Sequence, residues 1–122
     1  MPQKILIVDD YPEYALMLQK KLSDEGFEAA LASDGQMALD MAKSEKPDLI
    51  ILDIMMPHIG GTEVRMELKK DPDTQRIPVI FLTGLKAPHS KKRSKHADVR
   101  VIGKSSDFAE LLDAVREELS KS

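Results

Sequence analysis

Four short, mostly apolar runs, each long enough for one β-strand, are spread along the chain and end in polar residues. They are residues 5–8 before Asp9 and Asp10, residues 49–52 before Asp53, residues 79–82 before Thr83, and residues 99–103 before Lys104. A weaker strand-like segment spans residues 27–32, and segments with the apolar spacing of helices separate the five. Strands that alternate with helices in units of this size are typical of a parallel sheet covered by helices on both faces.

Five β-α units of this kind allow few arrangements, because crossovers between parallel strands are right-handed in nearly all proteins. The leading candidate is the flavodoxin-like doubly wound (βα)5 fold, an α/β architecture with a five-stranded parallel sheet in the order 2-1-3-4-5. Ligands of such folds bind beyond the carboxyl ends of the strands, between strands 1 and 3, where the order reverses. Asp9 and Asp10 follow strand 1 and Asp53 follows strand 3, so fold and chemistry indicate the same edge.

Proline, glycine and small polar residues predict where the helices begin and end. The expected boundary residues are Pro12 and Gly26 for the first helix, Ser33 or Asp34 for the start of the second, Thr62 for the start of the third, and Ser105 or Ser106 for the start of the last. The segment 88–96, where a further helix is expected, is basic and has no apolar stripe. That helix is therefore predicted to be short, mobile or displaced.

Length and composition fit one globular domain spanning residues 1–122. Hydrophobic residues make up 42% of the chain and charged residues 32%. The absence of cysteine excludes a disulfide scaffold, a thiolate metal site and a cysteine nucleophile. No apolar run approaches the roughly 20 residues that cross a bilayer, and the N-terminus lacks the pattern of a signal peptide. A cytoplasmic location is expected.

The charges are unevenly distributed, although the formal net charge is only −3. Residues 86–100 hold six basic side chains and one acid. Such a run is usually a solvated face, and the other interpretation is a docking surface for an acidic partner. The run has no helix-turn-helix signature and no interleaved aromatic residues, so direct binding to nucleic acid is not expected.

The polar residues at the predicted sheet edge have complementary chemistry. Three carboxylates close together repel one another unless a cation lies between them. Oxygen ligands without cysteine or histidine favour Mg²⁺ or Mn²⁺. A metal of this kind suits transfer of a phosphoryl group to an aspartate, with Thr83 donating to one phosphoryl oxygen and Lys104 pairing with another. Taken singly, each residue has an ordinary explanation: the acids could cap helices, Thr83 could be a plain strand residue and Lys104 a surface lysine. These explanations would all have to hold at the same edge of the sheet, which favours a shared site.

The chain resembles the receiver domain of bacterial two-component response regulators over essentially its whole length. Residues 5–10 resemble the strand and acidic pair of that family, and residues 52–57, followed by Gly61, resemble its phospho-acceptor strand and loop. Residues 77–83 resemble the strand that ends in its switch hydroxyl, and Lys104 falls where its lysine stands. The ordered set with these spacings is far more specific than an acidic pair alone.

The resemblance implies a function and a role for each residue of the site. Asp53 would accept a phosphoryl group from a phosphohistidine of a partner histidine kinase or phosphotransfer protein. Asp10, Asp53 and the backbone carbonyl of Met55 would ligate Mg²⁺, and Asp9 would assist through water. Thr83 and Lys104 would contact the phosphoryl group and favour one of two surface states that a downstream protein recognises. Such a domain is a signalling module, limited to self-phosphorylation from a phosphodonor and autodephosphorylation.

Four departures from the family pattern concern the signal output more than the phosphorylation chemistry. Lys104 is followed by Ser105 where the family usually has proline, so a trans peptide is expected there. Val101 replaces a common aromatic residue, which puts the coupling from Thr83 to the outer face in doubt. Gly84 replaces a residue that is usually alanine and would loosen the segment. The fourth departure is the basic segment 88–96.

Several alternatives remain open. The chain could be an interaction module that keeps the receiver fold and ignores phosphate, or an aspartyl-phosphate phosphatase of the haloacid dehalogenase type, which would need an acid at Met55. His58, His89 and His96 share no spacing and are expected to face solvent rather than bind metal. The basic window and the acidic last helix invite a homodimer through the face of the fourth predicted helix, the fifth strand and the last helix.

Overall fold

Both faces of the sheet are covered, which explains why its central strands consist of consecutive apolar residues. A computed structural model describes residues 2–84 and 99–121. Its strands are β1 (Lys4–Val8), β2 (Glu28–Ala32), β3 (Leu49–Asp53), β4 (Val79–Thr83) and β5 (Arg100–Gly103), and its helices are α1 (Pro12–Asp24), α2 (Gly35–Glu45), α3 (Gly61–Lys70) and α4 (Phe108–Ser120). All strand pairs are parallel, and the order is β2-β1-β3-β4-β5. The predicted fold and strand order are confirmed, while the helix expected at 88–96 lies outside the described residues.

Alternate residues of each strand enter two separate cores, one on each face of the sheet. Ile5 and Ile7 belong to the core that α1 and α4 cover, and Leu6 and Val8 belong to the core that α2 and α3 cover. All four are fully buried. Within the described ranges, no helix is both long enough and apolar enough to span a membrane.

The helix ends follow local capping rules, with two differences from the expected residues. Gly26 has φ +95 and closes α1, because its N–H donates to Ser23 O at 3.0 Å and the next N–H donates to Leu22 O at 3.1 Å. Asp34 caps α2 by accepting from the Met37 N–H at 2.8 Å. Helix α3 begins at Gly61, one residue earlier than expected.

The prediction that Ser105 or Ser106 caps the last helix is wrong. Asp107 is the cap, because its side chain accepts from the Glu110 N–H at 3.1 Å. The two serines lie in the turn after β5, where the Ser106 N–H donates to Gly103 O at 3.0 Å. Asp107 directly precedes the helix and so occupies the N-cap position, from which a side chain reaches the N–H three residues on.

The amino ends of β1 and β3 are joined by contacts of Lys4. Its backbone N–H donates to Asp48 Oδ2 at 2.8 Å, and the Asp48 N–H donates back to Lys4 O at 2.7 Å. The Lys4 ammonium donates to Glu45 Oε1 at 3.2 Å and lies 3.7 Å from Glu28 Oε2. The hydrogen bond to Glu45 raises the pKa of Lys4. These contacts fix the amino ends of β1 and β3, opposite the acidic residues.

Candidate functional site

The carboxyl ends of β1 and β3 bring three acids together. Val8 pairs with Leu52 in the parallel register, so Asp9 and Asp53 follow at the same level of the sheet. Asp9, Asp10 and Asp53 each offer a carboxylate oxygen, and these oxygens all lie within 4.8 Å of one another. Asp9 and Asp53 are each 2% exposed, whereas Asp10 is partly exposed. One side of the cluster is therefore sealed against the core and the other is open to a ligand.

Lys104 reaches this cluster from two strands away. Its backbone N–H donates to Thr83 O at 2.8 Å, which fixes the residue at the end of β5. The long side chain places Nζ 2.9 Å from Asp9 Oδ2 and 3.2 Å from Asp53 Oδ2. One ammonium therefore bridges two buried carboxylates. Lys104 also has 18% of its side chain exposed, so it lies at the rim of the site.

Thr83 and Met55 occupy the expected positions beside Asp53. Asp53 pairs with Leu82 across β3 and β4, which places Thr83 one residue further along the same edge, with 7% of its surface exposed. The Met55 N–H donates to Asp53 Oδ1 at 3.2 Å, while the residue as a whole is 68% exposed. Both Asp53 oxygens are thus engaged, one by this amide and the other by the Lys104 ammonium.

Two tyrosines belong to the site although the sequence pattern does not single them out. The Lys104 Nζ lies 4.9 Å from the centre of the Tyr14 ring and 5.4 Å from that of the Tyr11 ring. The Tyr11 N–H also donates to Asp9 Oδ1 at 2.8 Å. Helical spacing marks Tyr14 as a core-facing residue of α1, and its position four residues after Asp10 is the signal that places it near the acids.

Burial and charge act in opposite directions on the ionisable groups. Burial raises the pKa of Asp53, the charge of Asp9 raises it further, and Lys104 offsets only part of this. Burial lowers the pKa of Lys104, but its contacts with Asp9 and Asp53 outweigh that effect, so the net change is upward. Because the Asp53 pKa is raised, ionised Asp53 costs folding stability at pH values above that pKa in the metal-free chain.

The donor set fits a hard divalent cation. Asp10 Oδ1 is buried and accepts no hydrogen bond from any described residue. Asp9 Oδ2 is buried too, but the Lys104 ammonium lies 2.9 Å from it as a counter-charge. A buried carboxylate oxygen without a partner, as Asp10 Oδ1 is, is costly unless a cation engages it. Oxygen ligands only, with one side open, are what Mg²⁺ uses when it keeps several waters.

Three further predicted features are the histidines, Val101 and the peptide bond after Lys104. His58 is exposed, as expected, whereas His89 and His96 lie outside the described residues. Val101 is partly buried and packs against the core under α2 and α3. The described residues contain no cis peptide bond, so the bond after Lys104 is trans, as expected.

Comparison with known proteins gives one consistent family. The sequence model of the response regulator receiver domain matches residues 5–116. Response regulator PleD of Caulobacter vibrioides is 45% identical over 85 residues, which are 70% of this chain and 19% of PleD. Across the curated relatives compared, the match spans between 19% and 35% of the relative's length.

Solved structures agree over nearly the whole length. Response regulator TrrA of Thermotoga maritima, in complex with Mg²⁺ and BeF, is 37% identical with a TM-score of 0.81, covering 95% of this chain and 98% of TrrA. Chemotaxis protein CheY4 of Vibrio cholerae is 28% identical with a TM-score of 0.83, covering 96% of this chain and 98% of CheY4. TM-scores of this size over nearly the whole of each chain show that these proteins have the same fold as this chain.

Proposed function

The chain belongs to the response regulator receiver domain family, and on that premise we propose that it is a phospho-acceptor signalling module whose acceptor is Asp53. The observation that supports this most directly is the position of the Asp53 carboxylate. It lies between two further acids and a lysine ammonium, at the carboxyl edge of β3. The arrangement combines a nucleophile, a cation-binding acid pair and a positive charge within one small site.

The proposed reaction moves one phosphoryl group from nitrogen to oxygen. An Asp53 oxygen attacks the phosphorus of a phosphohistidine on a partner histidine kinase or phosphotransfer protein. The phosphorus–nitrogen bond breaks, its electron pair stays on the imidazole nitrogen, and the new phosphorus–oxygen bond makes an acyl phosphate. The Met55 amide and the Lys104 ammonium hold the carboxylate in place and favour its ionised, nucleophilic form.

The proposed metal is Mg²⁺, with Mn²⁺ a possible substitute. Asp9, Asp10, Asp53 and the backbone carbonyl of Met55 would hold it, Asp9 through water. When bound, the ion supplies positive charge that offsets the acids and the incoming phosphoryl oxygens. Thr83 and Lys104 are the groups proposed to contact the transferred phosphoryl group and to favour a second surface state.

A small phosphodonor tests the proposal without a partner protein. Purified chain incubated with acetyl phosphate and Mg²⁺ should gain the mass of one phosphoryl group, measured on the intact protein. Asp53→Asn should gain nothing, and a chelator should prevent the gain in the unmutated chain. No adduct, or an adduct that survives in Asp53→Asn, would sink the proposal.

The same experiment tests an alternative function, in which the chain binds a protein partner without phosphorylation. A phosphate-independent interaction module is favoured by Val101, where the family commonly has an aromatic residue, and by Ser105, where it usually has proline. A folded chain that takes up Mg²⁺ but forms no adduct would support this alternative.

The proposed location is the cytoplasm and the proposed output is a downstream protein partner rather than nucleic acid. A homodimer is a further possibility for the output. Sedimentation of the phosphorylated and unphosphorylated chain at two salt concentrations would reveal it. A monomer in all four samples would rule it out.

Met55 is expected to lengthen the life of the acyl phosphate. Met55 is two residues past Asp53, its amide donates to the Asp53 carboxylate, and the residue is 68% exposed, so we propose that its apolar side chain restricts the approach of water to the phosphorus. Met55→Asn should therefore shorten the phosphate lifetime several-fold, measured by loss of the adduct after removal of the donor. Met66→Asn is a matched control, because Met66 is 60% exposed on α3, away from the acids. Equal lifetimes for Met55→Asn and the unmutated chain would count against the role.

A further inference from the structure

The Lys104 ammonium has carboxylates and aromatic rings as its neighbours. Two carboxylates contact it at 2.9 and 3.2 Å, and two tyrosine rings lie with their centres 4.9 and 5.4 Å away. A cation within about 6 Å of an aromatic centre is attracted by the ring, more strongly where water is excluded. The Lys104 ammonium therefore has two acidic and two aromatic neighbours at once.

The two rings differ in how firmly they are held. Tyr14 packs against the core that α1 and α4 cover, so its ring is anchored by the fold. Tyr11 is 67% exposed and precedes the first turn of α1. The anchored ring is also the nearer one to the ammonium. Of the two rings, Tyr14 is thus the one better able to restrict the position of the ammonium.

A fixed ring matters because the two carboxylates contact only the ammonium at the end of a flexible side chain. Its side chain has four rotatable carbons, and ordering such a stem costs conformational entropy. The residues that follow, Ser105 and Ser106, form a turn and offer no bulky side chain against the stem. When an Asp53 oxygen becomes bonded to phosphorus, the ammonium loses part of its contact with that carboxylate. The Tyr14 ring, 4.9 Å away, would still limit the positions that the ammonium can occupy.

We propose that Tyr14 is a positioning residue for Lys104, its ring face keeping the ammonium beside Asp53 so that an arriving phosphoryl oxygen meets a cation already in place. This inference rests on the proposed phospho-acceptor function and adds a residue to it. The ring is the active part of Tyr14 and the hydroxyl is dispensable. Tyr14 therefore acts through Lys104 and does not touch the reacting atoms.

The rate of phosphorylation by acetyl phosphate with Mg²⁺ tests this. Tyr14→Leu keeps an apolar side chain against the core but removes the ring, and should slow the reaction about three- to tenfold. Tyr14→Phe keeps the ring and should stay within about twofold of the unmutated chain. In a Lys104→Ala background, Tyr14→Leu should cause no further loss, because the residue it positions is gone. Phe108→Leu is the matched control, since it removes another lysine–ring contact, the 5.3 Å contact between Lys21 of α1 and Phe108 of α4.

A spectroscopic measurement separates this inference from the proposed function. Protons on the Lys104 carbon next to Nζ should show an upfield ring-current shift in the unphosphorylated chain, reduced in Tyr14→Leu, where the more distant Tyr11 ring remains, and kept in Tyr14→Phe. Absence of that shift overturns the inference, as does normal phosphorylation of Tyr14→Leu or an equal loss in the Lys104→Ala background. No phosphorylation of the unmutated chain, with the shift present, overturns the proposed function and the positioning role that depends on it.

Discussion

Asp10→Asn should lower the affinity of the chain for Mg²⁺ by more than about 100-fold, since losing even an outer partner of a metal ligand costs roughly 10- to 100-fold. Asp10 Oδ1 is buried, accepts no hydrogen bond from the described residues and belongs to the cluster of three acids. Of the oxygens in the cluster, it is the one that most needs a cation. Calorimetric titration with Mg²⁺ gives the affinity directly, and phosphorylation by acetyl phosphate should fall with it.

A second measurement shows that such a loss is not caused by misfolding. The unfolding free energy of metal-free Asp10→Asn should not fall, because one of three neighbouring charges has been removed. Added Mg²⁺ should stabilise the unmutated chain, by about 2.7 kcal/mol at 100 times its dissociation constant, and should leave the variant unchanged. Asp40→Asn is the control, an exposed acid on α2 whose loss should preserve the Mg²⁺ response. Equal Mg²⁺ affinity in Asp10→Asn would contradict the assignment.

Gly61→Ala should destabilise the chain by about 3 kcal/mol or more, beyond the usual cost of an overfilled site. A Cβ on Gly61 would lie 2.3 Å from the Asp53 carbonyl oxygen and 2.9 Å from Ile54 Cα. Both neighbours are backbone atoms, so no side chain can rotate away. The Gly61 N–H also donates to Ile54 O at 2.9 Å, which brings the start of α3 against the end of β3.

Two other glycines provide graded controls for this prediction. A Cβ on Gly35 would meet Ile59 Cβ and Val64 Cγ2 at 2.9 Å. These contacts are longer than the 2.3 Å at Gly61 and the Val64 methyl can rotate, so Gly35→Ala should cost less than Gly61→Ala. A Cβ on Gly84 would meet nothing within 4 Å in the described chain, so Gly84→Ala should have a small effect. Chemical denaturation of the three variants gives the order. Equal midpoints for Gly61→Ala and Gly84→Ala would show that the close contact is not maintained in solution.

The fold was predictable because its signal repeats along the whole chain. Consecutive apolar residues in β1, β3 and β4 require a sheet covered on both faces, and helical segments between them require parallel pairing. The acid cluster was predictable for the same reason, since parallel strands end at one edge. The residue that caps a helix was harder to predict where several adjacent residues can cap. Before the last helix, two serines and Asp107 are all suitable, and Asp107 is the cap.

Contacts between distant side chains could not be read from the sequence. That Lys104 would bridge Asp9 and Asp53, rather than one of them, depends on the reach of a side chain across β4. The sequence position of Tyr14 is compatible with a ring buried in the core and with a ring beside the acids. Only the distance from its ring to the Lys104 ammonium shows that the ring lies beside the site. Such details depend on packing geometry, which apolar periodicity does not encode.

The hydrogen bonds between Lys4 and Asp48 close the amino end of a ladder that is continuous up to the acids. Two backbone N–H groups, at 2.7 and 2.8 Å, hold β1 and β3 there, with a lysine ion pair beside them. From Ile5 beside Leu49 to Val8 beside Leu52 the two strands stay paired, so a change in charge at the acids should leave their register unchanged. Any movement that follows such a change is therefore expected in side chains and in the loops after the strands, where no ladder restrains the backbone.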